Sequence, residues 1–441
     1  MQLTDAFRQA NKSLYLVGGS VRDMIMGVAP KDWDYTTNAT PVEIREILNR
    51  TNASAIFGIG EKFGTIGAII DGKSVEITTF RSEAYEPGSR HPSVSFGTDL
   101  IADLSRRDFT INAIAQDMFN GAIIDPFGGQ EDIRDKTIAA VGSPDLRFDE
   151  DPLRMLRAIR FAAQLDFQIS TQTMASIRRQ AHQLSTISQE RIVSEVSKML
   201  MTNTPGTAIA FLVYVGLMPY IVPEFMDIVD MPTHRGHKDV YDHTLKVIDQ
   251  SPPRLLLRWA AWLHDIGKPA TFGRSEGSVH FLGHDVVGGK MTQKILRRLK
   301  MDVASIEYIS DLVTMHMRVN GYTSDWTDGA VRRFIVEAGD KLEDLLDLSD
   351  ADVTTKNTKL RNEYKRLTAE LRSRIIDLQA RDNVVQMKSP LDGNELMALC
   401  GRLPGQWIKE VKQALLDAVL DGTLREDDKE TATKMAKEML G

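Results

Sequence analysis

Cysteine is almost absent: Cys400 is the single one in 441 residues, so no disulfide can close within the chain. Long apolar runs are missing too. The best candidate for a membrane span, Leu255 to Leu263, is broken by Arg258 and far too short. The first residues, MQLTDAFRQANKS, carry acidic and polar groups where a secretory signal needs an apolar stretch. Nor is there an excess of positive charge, with 54 Lys and Arg against 61 Asp and Glu, a formal charge of -7. That excludes a protein that coats nucleic acid through bulk charge, but not one with a local basic groove. These absences predict a cytoplasmic protein with no membrane contact. What is present is an ordinary globular composition, 42% hydrophobic and 26% charged, with length for about three domains at roughly 150 residues each.

Residues 1–140 alternate short apolar runs with glycine turns, as in LYLVGG at 14–19, GTIGAIIDG at 64–72 and SVEITTF at 74–80. β-branched residues bounded by turn signals predict strands. Helices are expected between them at Ser20–Met26 and Pro41–Asn49, the latter with proline in its first turn. From about residue 149 the spacing turns helical: EDPLRMLRAIRFAAQL places apolar residues at 153, 156, 159, 161 and 165. The predicted class is therefore α+β, a small mixed-sheet domain followed by helices. The stretch 219–239, rich in Pro, Gly and His, reads as a linker. The tail from 356 to 441 has helical spacing and no chemical motif.

The segment LVGGSVRDMIMGVAPKDWDY carries the first chemistry. A strand ends in Gly18-Gly19 and a helix follows. Backbone N–H groups at a helix start favour phosphate, glycines let it approach, and Arg22 lies on the first turn. Asp32 and Asp34 come next. On an extended strand, residues two apart face one side, and two carboxylates on one face form a hard oxygen site for Mg²⁺.

Further motifs follow in order: RRDFTINAIAQD at 106–117, IIDPFGGQEDIRD at 123–135 and FDEDPLRMLRAIRFAAQLDF at 148–167. Together with the first segment they closely resemble the class II tRNA nucleotidyltransferases, the CCA-adding enzyme and poly(A) polymerase family, over about residues 14 to 200. The resemblance implies a template-independent enzyme that completes tRNA 3′ ends with CCA from CTP and ATP, using Mg²⁺. Gly19 and Arg22 match the family's triphosphate-binding turn, and Asp32 and Asp34 its metal-binding carboxylates. Glu76 is a candidate third acid or else a structural strand residue. Arg107 matches the ribose and phosphate contacts, with Arg106 as a near alternative, and Asp125 and Asp132 are expected to brace the domains. Residues 82–98, with Arg90, His91 and Pro92, resemble the loop of enzymes that add the terminal A.

Base selection has a physical rationale of its own. Asp151 and Arg154 are three apart in a helical pattern and therefore read as neighbours, with Arg157 and Arg160 continuing the face. Cytosine and adenine each present an amino donor beside a ring-nitrogen acceptor; uracil and guanine present the opposite order. One Asp–Arg pair can accept C and A, and it rejects U and G by leaving buried polar groups unpaired.

A second block begins near residue 240. Six of the nine histidines fall between 234 and 284. His243, the pair His264-Asp265 at the end of an apolar helix, and the distant Asp352 form a metal-type constellation. The block resembles the HD phosphohydrolase superfamily, whose H…HD…D core these four match. His284 and His316 match the extra histidines of two-metal members, and Lys268 is placed to touch phosphate. The resemblance implies a divalent metal (Mn, Ni, Fe or Mg) and hydrolysis of a phosphoester, such as a 2′,3′-cyclic phosphate or a damaged tRNA end. Four segments are thus expected: a catalytic head at 1–140, a helical neck and linker at 141–235, an HD-type domain at 236–355 and a tRNA-contacting tail at 356–441. The competing readings are an A-adding enzyme with a separate CC-adding partner, a poly(A) polymerase, a phosphohydrolase with a vestigial transferase half, and a pure tRNA-binding module.

Overall fold

The computed structural model describes the chain apart from residues 1, 31, 59, 62–63, 85–92, 98, 232–238, 276–277, 383, 385–386 and 441. It divides into two units, residues 1–226 and 227–441.

The first unit opens with α1 (Leu3–Gln9), β1 (Tyr15–Val17), α2 (Gly19–Ile25), β2 (Trp33–Thr37) and α3 (Pro41–Leu48). Then come β3 (Ala53–Phe57), β4 (Thr65–Ile70), β5 (Lys73–Thr79), a hairpin of β6 (Arg81–Ala84) and β7 (Ser93–Phe96), α4 (Leu100–Ser105), β8 (Ala115–Asp117) and β9 (Ile123–Ile124). Seven of these strands form one mixed sheet in the order β3-β4-β5-β2-β1-β8-β9. β5 shows why it is a strand: Val75, Ile77 and Thr79 are buried while Ser74 and Glu76 face out. α3 starts where Thr40 and Glu43 bond each other's backbone amides, with Pro41 at the first helical position. The pairing that matters most is β2 with β5. They run parallel, and their register sets Asp34 opposite Glu76.

Helices follow: α5 (Gly129–Arg134), α6 (Pro144–Glu150), α7 (Leu153–Leu165), α8 (Thr171–Gln180), α9 (Gln189–Leu200) and α10 (Pro205–Tyr214). A short parallel pair, β10 (Thr137–Ile138) with β11 (Gln168–Ile169), ties the start of this part to the end of α7. α7 packs on α9 and α10 through a buried face that includes Leu156 and Ile159. The linker expected at 219–239 is ordered at its start. Turns of 3-10 helix at Met218–Tyr220 and Pro223–Phe225 lead into α11 (Met226–Val229). Met218, Ile221, Val222 and Phe225 are buried there; this helical spacing is what the Pro and Gly content masked. The loop expected at 82–98 lies largely outside the described residues, including Arg90, His91 and Pro92.

The second unit is helical: α12 (Val240–Gln250), α13 (Leu255–Leu263), α14 (His284–Arg298), α15 (Val303–Asn320), α16 (Asp328–Ala338), α17 (Leu342–Asp352) and α18 (Thr358–Asp382). A hairpin of β12 (Phe272–Ser275) and β13 (Ser278–Phe281) precedes α14. The last helices, α19 (Gly393–Cys400), α20 (Gln406–Leu420) and α21 (Lys429–Leu440), share a small core around Leu396, Val411, Leu415 and Ala432. α13 is mostly apolar because it is largely surrounded: Trp259 and Trp262 are fully buried with ring centroids 5.2 Å apart. Among the described residues no helix is long and apolar enough to cross a membrane.

Candidate functional site

One cavity of about 590 Å³ in the first unit gathers most of the residues singled out in 1–200. Its floor is the turn from β1 into α2. Gly18 has φ +71, a backbone conformation that favours glycine, and a Cβ there would press on the movable Nη1 end of Arg107 at 2.9 Å. Gly19 and Arg22 line the cavity beside it. Asp32, just ahead of β2, and Asp34, in its first half, enter from one side. Ser20 Oγ fixes that approach by donating to the Asp32 carbonyl at 2.9 Å and accepting from the Asp34 amide at 3.2 Å. Burial, then the neighbouring Glu76 carboxylate, push the Asp34 carboxyl up to about 6; Asp32 adds to this and Arg107 opposes it. Three acids crowd one strand end, and the unbalanced negative charge is what a divalent cation would neutralise. Glu76 is thus an electrostatic neighbour of Asp34 across the β2–β5 register, although it does not line the cavity.

The opposite wall is arginine-rich: Arg106 and Arg107 after α4, then Arg154, Arg157 and Arg160 on α7. Here the structure corrects the sequence reading. Asp151 is not on the helix with Arg154. It is extended, at φ -149 and ψ 98, between α6 and α7, because Pro152 restricts the residue before it and starts the new helix. Its Oδ1 accepts from the Leu153 amide at 3.2 Å and its Oδ2 from Arg191 at 2.7 Å. Arg154 instead donates to Glu150 at 2.7 Å and to the Arg106 carbonyl at 2.7 Å. Asp151 and Arg154 both face the cavity, each held by a different partner.

Several residues of this site had no role in the sequence reading. Asp108 is buried and accepts from Arg157 Nε at 2.7 Å and Asn112 Nδ2 at 3.1 Å. Asn112 Oδ1 in turn accepts from Arg22 Nη1 at 2.8 Å, so a continuous chain joins α2 to α7. Burial alone would raise the Asp108 carboxyl, but Arg157 and Asn112 hold it below its ordinary value. Glu195 on α9 accepts from Arg160 at 2.7 Å. The Phe161 ring lies under three guanidinium groups, those of Arg160 (4.1 Å), Arg157 (5.3 Å) and Arg22 (5.4 Å). For Asp108 and Asn112 the sequence signal was an acid and an amide among the apolar residues of RRDFTINAIA. Asp125 and Asp132 do not line the cavity. Asp125 accepts from the Gly129 and Gln130 amides at 2.8 Å, and Asp132 accepts from Thr110 Oγ1 at 2.5 Å.

The second unit holds an independent cluster. His243 on α12, His264 and Asp265 after α13, His284 at the start of α14, His316 on α15 and Asp352 at the end of α17 converge although spread over 110 positions. Two ligand sets share Asp265: His243 with His264, and His284 with His316. Close approach of the backbone makes this possible. A Cβ on Gly267 would lie 2.2 Å from the His284 carbonyl, so only glycine lets the His-Asp turn sit on α14. Three imidazoles are oriented by Nδ1 bonds to backbone carbonyls: His264 to Ala261 (2.8 Å), His284 to Phe281 (2.8 Å) and His316 to Val313 (2.6 Å). His243 Nδ1 meets Thr354 Oγ1 at 2.7 Å. The Nε2 atoms therefore point inward, 3.3 Å apart for His264 with His243 and 3.2 Å for His284 with His316. Each pair is close enough for one ring to donate to the other or for both to face a cation, and outer bonds of this type are how metal-binding imidazoles are held.

Charge follows the same logic. Burial pushes His316 down to about 4, with His264 adding to it, so this ring is neutral and a competent ligand at pH 7. His243 is raised despite burial, by its bonds to Asp265 and Asp352. Asp352 is also set by Asn320, which donates to its Oδ2 at 3.0 Å and accepts from Ser349 at 2.8 Å. Lys268 Nζ lies 2.6 Å from Asp265 Oδ2.

A small mixed-sheet domain with paired acids opposite an arginine wall is the architecture of a nucleotidyltransferase. Comparison with known proteins agrees. Residues 14–139 match the family described as poly A polymerase head domain, 166–228 the probable RNA- and SrmB-binding site of polymerase A, and 284–432 a putative domain 2 of tRNA nucleotidyltransferase. The chain is 33% identical to the A-adding tRNA nucleotidyltransferase of Deinococcus radiodurans, over 91% of this chain and 90% of that one. It is 30% identical to a CCA-adding enzyme of Geobacillus sp., over 95% and 92%. Among solved structures, the CCA-adding enzyme of Bacillus stearothermophilus in complex with CTP aligns over 99% of this chain and 96% of that one, with TM-score 0.73 and 26% identity. The chain belongs to the class II tRNA nucleotidyltransferases.

The raised Asp34 carboxyl predicts a trade between stability and function. The folded protein binds this proton more tightly than the unfolded chain, so stability falls as pH rises from about 4 through about 6. Asp34→Asn removes the buried charge. In metal-free protein at pH 8 it should stabilise the first unit by roughly 1–3 kcal/mol, about one to two pKa units' worth, with the gain fading below about pH 4. Urea unfolding at pH 8 and pH 4 checks this; an equal effect at both pH values rules out the electrostatic cause.

Proposed function

We propose that this enzyme adds CCA to the 3′ end of tRNA without a nucleic-acid template, taking CTP and ATP and releasing pyrophosphate. The observation that carries the reading is the single cavity in which Asp32 and Asp34 face Asp151 and the arginines of α7. Asp32 and Asp34 would hold Mg²⁺, which on binding would activate the RNA 3′-hydroxyl and neutralise the leaving pyrophosphate. Gly19 and Arg22 take the triphosphate, and Arg107 takes ribose and phosphate. Asp151 accepts from the exocyclic amine of C or A while Arg154 donates to the ring nitrogen. To do so they exchange their bonds to Arg191 and Glu150 for the base. Arg157 and Arg160, held by Asp108 and Glu195, keep the wall in place. An A-adding enzyme with a separate CC-adding partner is the second reading, favoured by the similarity to the A-adding relative.

In functional terms we divide the chain into the catalytic head (1–140), the base-recognition neck and linker (141–235), an HD-type domain (236–355) and a tRNA-contacting tail (356–441), working in the cytoplasm. In the HD-type domain His243, His264, Asp265 and Asp352 hold a divalent metal, with His284 and His316 as further ligands. Its reaction is hydrolysis of a phosphoester, and the paired Nε2 atoms at 3.2 and 3.3 Å support this.

Purified protein given tRNA lacking its CCA end, with CTP, ATP or both, should add C and then A, and Asp32→Ala should abolish both additions while tRNA affinity stays within about twofold. Addition of A alone, and only to tRNA ending in CC, assigns the second reading instead. Asp151→Ala should lower the CTP/UTP and ATP/GTP ratios of kcat/KM about 10- to 100-fold, since each mispaired buried hydrogen bond is worth roughly 1–3 kcal/mol. An equal fall for all four nucleotides makes Asp151 structural. Lastly, His264→Ala with Asp265→Ala should remove the tightly bound divalent metal of the second unit, read by elemental analysis after dialysis, and spare CCA addition. Unchanged metal content refutes the ligand set.

A further inference from the structure

Arg22 and Asp108 make opposite demands on a side chain that serves both. A guanidinium can only donate hydrogen bonds and an ionised carboxylate can only accept them, so the shared partner needs an acceptor at one side and a donor at the other. Asn112 meets both demands. Its Oδ1 accepts from Arg22 Nη1 at 2.8 Å, and its Nδ2 donates to Asp108 Oδ1 at 3.1 Å. These partners leave the amide a single orientation. Asn112 ends a turn of 3-10 helix at Thr110–Asn112 and is buried there.

The two bonds matter unequally to the two partners. Without Asn112, Asp108 still has Arg157 on one oxygen and the Phe109 amide, at 2.9 Å, on the other. Arg22 depends on it more. Its Nε and Nη2 both donate to Asp23, at 2.9 and 2.7 Å, so Asn112 is the only hydrogen-bond partner of Nη1 among the described residues. The guanidinium held from these two sides lies against the glycine turn, where a Cβ on Gly19 would stand 3.5 Å from Arg22 Nη2. A guanidinium has five N–H groups, and these bonds use three, which leaves one hydrogen on each Nη for phosphate oxygens. The Asn112 main-chain carbonyl also accepts from Arg107 Nη1, at 3.5 Å. One residue thus bonds to both cations assigned to the phosphates.

We propose that Asn112 is a positioning residue for the transferase reaction, which holds the Arg22 guanidinium against the glycine turn in the orientation that receives the triphosphate of the incoming nucleotide. The proposal rests on the reading of Gly19 and Arg22 as the triphosphate seat and adds the residue that sets it. The role of Asn112 is confined to the phosphates. Asp151 and Arg154 have anchors of their own in Arg191 and Glu150, so base selection does not pass through Asn112.

The test uses inorganic triphosphate, which carries the phosphates and no base, with Mg²⁺ and the full-length protein. Calorimetry measures its affinity for wild type, Asn112→Ala, Arg22→Ala and the double variant. A hydrogen bond to a charged group is among the stronger ones, so Asn112→Ala should weaken binding about tenfold. KM for CTP and for ATP should rise by the same factor, while kcat and the CTP/UTP ratio of kcat/KM stay within about twofold of wild type. A residue that acts through Arg22 has nothing to position once Arg22 is gone, so the double variant should bind no more weakly than Arg22→Ala alone. Additive losses, or a fall in kcat with KM unchanged, overturn the proposal. Weaker binding in Arg22→Ala with wild-type affinity in Asn112→Ala overturns it and leaves the triphosphate seat standing. Unchanged affinity in Arg22→Ala overturns both. Asn112→Ser, whose short hydroxyl keeps a donor and an acceptor, serves where the alanine variant does not fold; it should bind more weakly than wild type and more tightly than Arg22→Ala, and wild-type affinity in it refutes the positioning role.

Discussion

Asp108 is buried, and its charge is met by Arg157 at 2.6 Å and by the Asn112 amide at 3.1 Å. Asn112 then holds Arg22 at 2.8 Å. The geometry of the nucleotide cavity hangs on this chain. A buried carboxylate without a partner costs several kcal/mol, so Arg157 must stay where Asp108 can reach it. That fixes α7 against the segment after α4, and through Asn112 it fixes α7 against the glycine turn. The glycine-turn end and the α7 end of the cavity are thus placed by one network rather than by two independent contacts. The Phe161 ring beneath Arg22, Arg157 and Arg160 reinforces it, because three cations can crowd together only where an aromatic face and carboxylates share their charge.

The two units solve opposite problems of like charge with the same device. In the first, Asp32, Asp34 and Glu76 place excess negative charge at one strand end. In the second, four imidazoles crowd around the shared Asp265 carboxylate. Each arrangement is held in place by bonds from the surrounding structure. Ser20 ties the Asp32–Asp34 segment down, and backbone carbonyls hold three of the four imidazoles. The lowered His316 shows that the second unit keeps a ring ready to ligate at neutral pH.

The state of Asp151 bears on how one pocket can serve two bases. Placed between helices rather than within one, Asp151 is anchored by Arg191 from α9, while Arg154 is anchored by Glu150 from α6. A rigid intrahelical pair would read a base from one fixed position. Two readers held by different elements can be brought together when a base displaces their partners. On the base reading proposed above, discrimination would include the exchange of two ion pairs, which only a base offering the right donor and acceptor can compensate.

Local patterning in the sequence was enough for the α+β class, the strands β1, β4 and β5, the helices α2 and α3, and part of the set of residues that line the first cavity. Strand alternation, capping and turn glycines act over a few residues, so they are visible without a fold. The ordered motifs made the family legible for the same reason, since chemistry confines residue types at short spacing. Tertiary structure decided what depends on distant partners. Arg191 on α9 took Asp151, which the local effect of Pro152 had already moved off the expected helix. The apolar residues of 218–228 turned a Pro- and Gly-rich stretch into packed turns. Asp108, Asn112 and Glu195 gained roles only when α7 met them. Asp34 and Glu76 became neighbours because parallel strands paired in one register, which 42 positions of intervening chain do not reveal. The sequence by itself determined which groups are present and which local elements carry them. Only the folded chain decided which charges face each other, because Coulomb and hydrogen-bond energies depend on separation in space rather than along the chain.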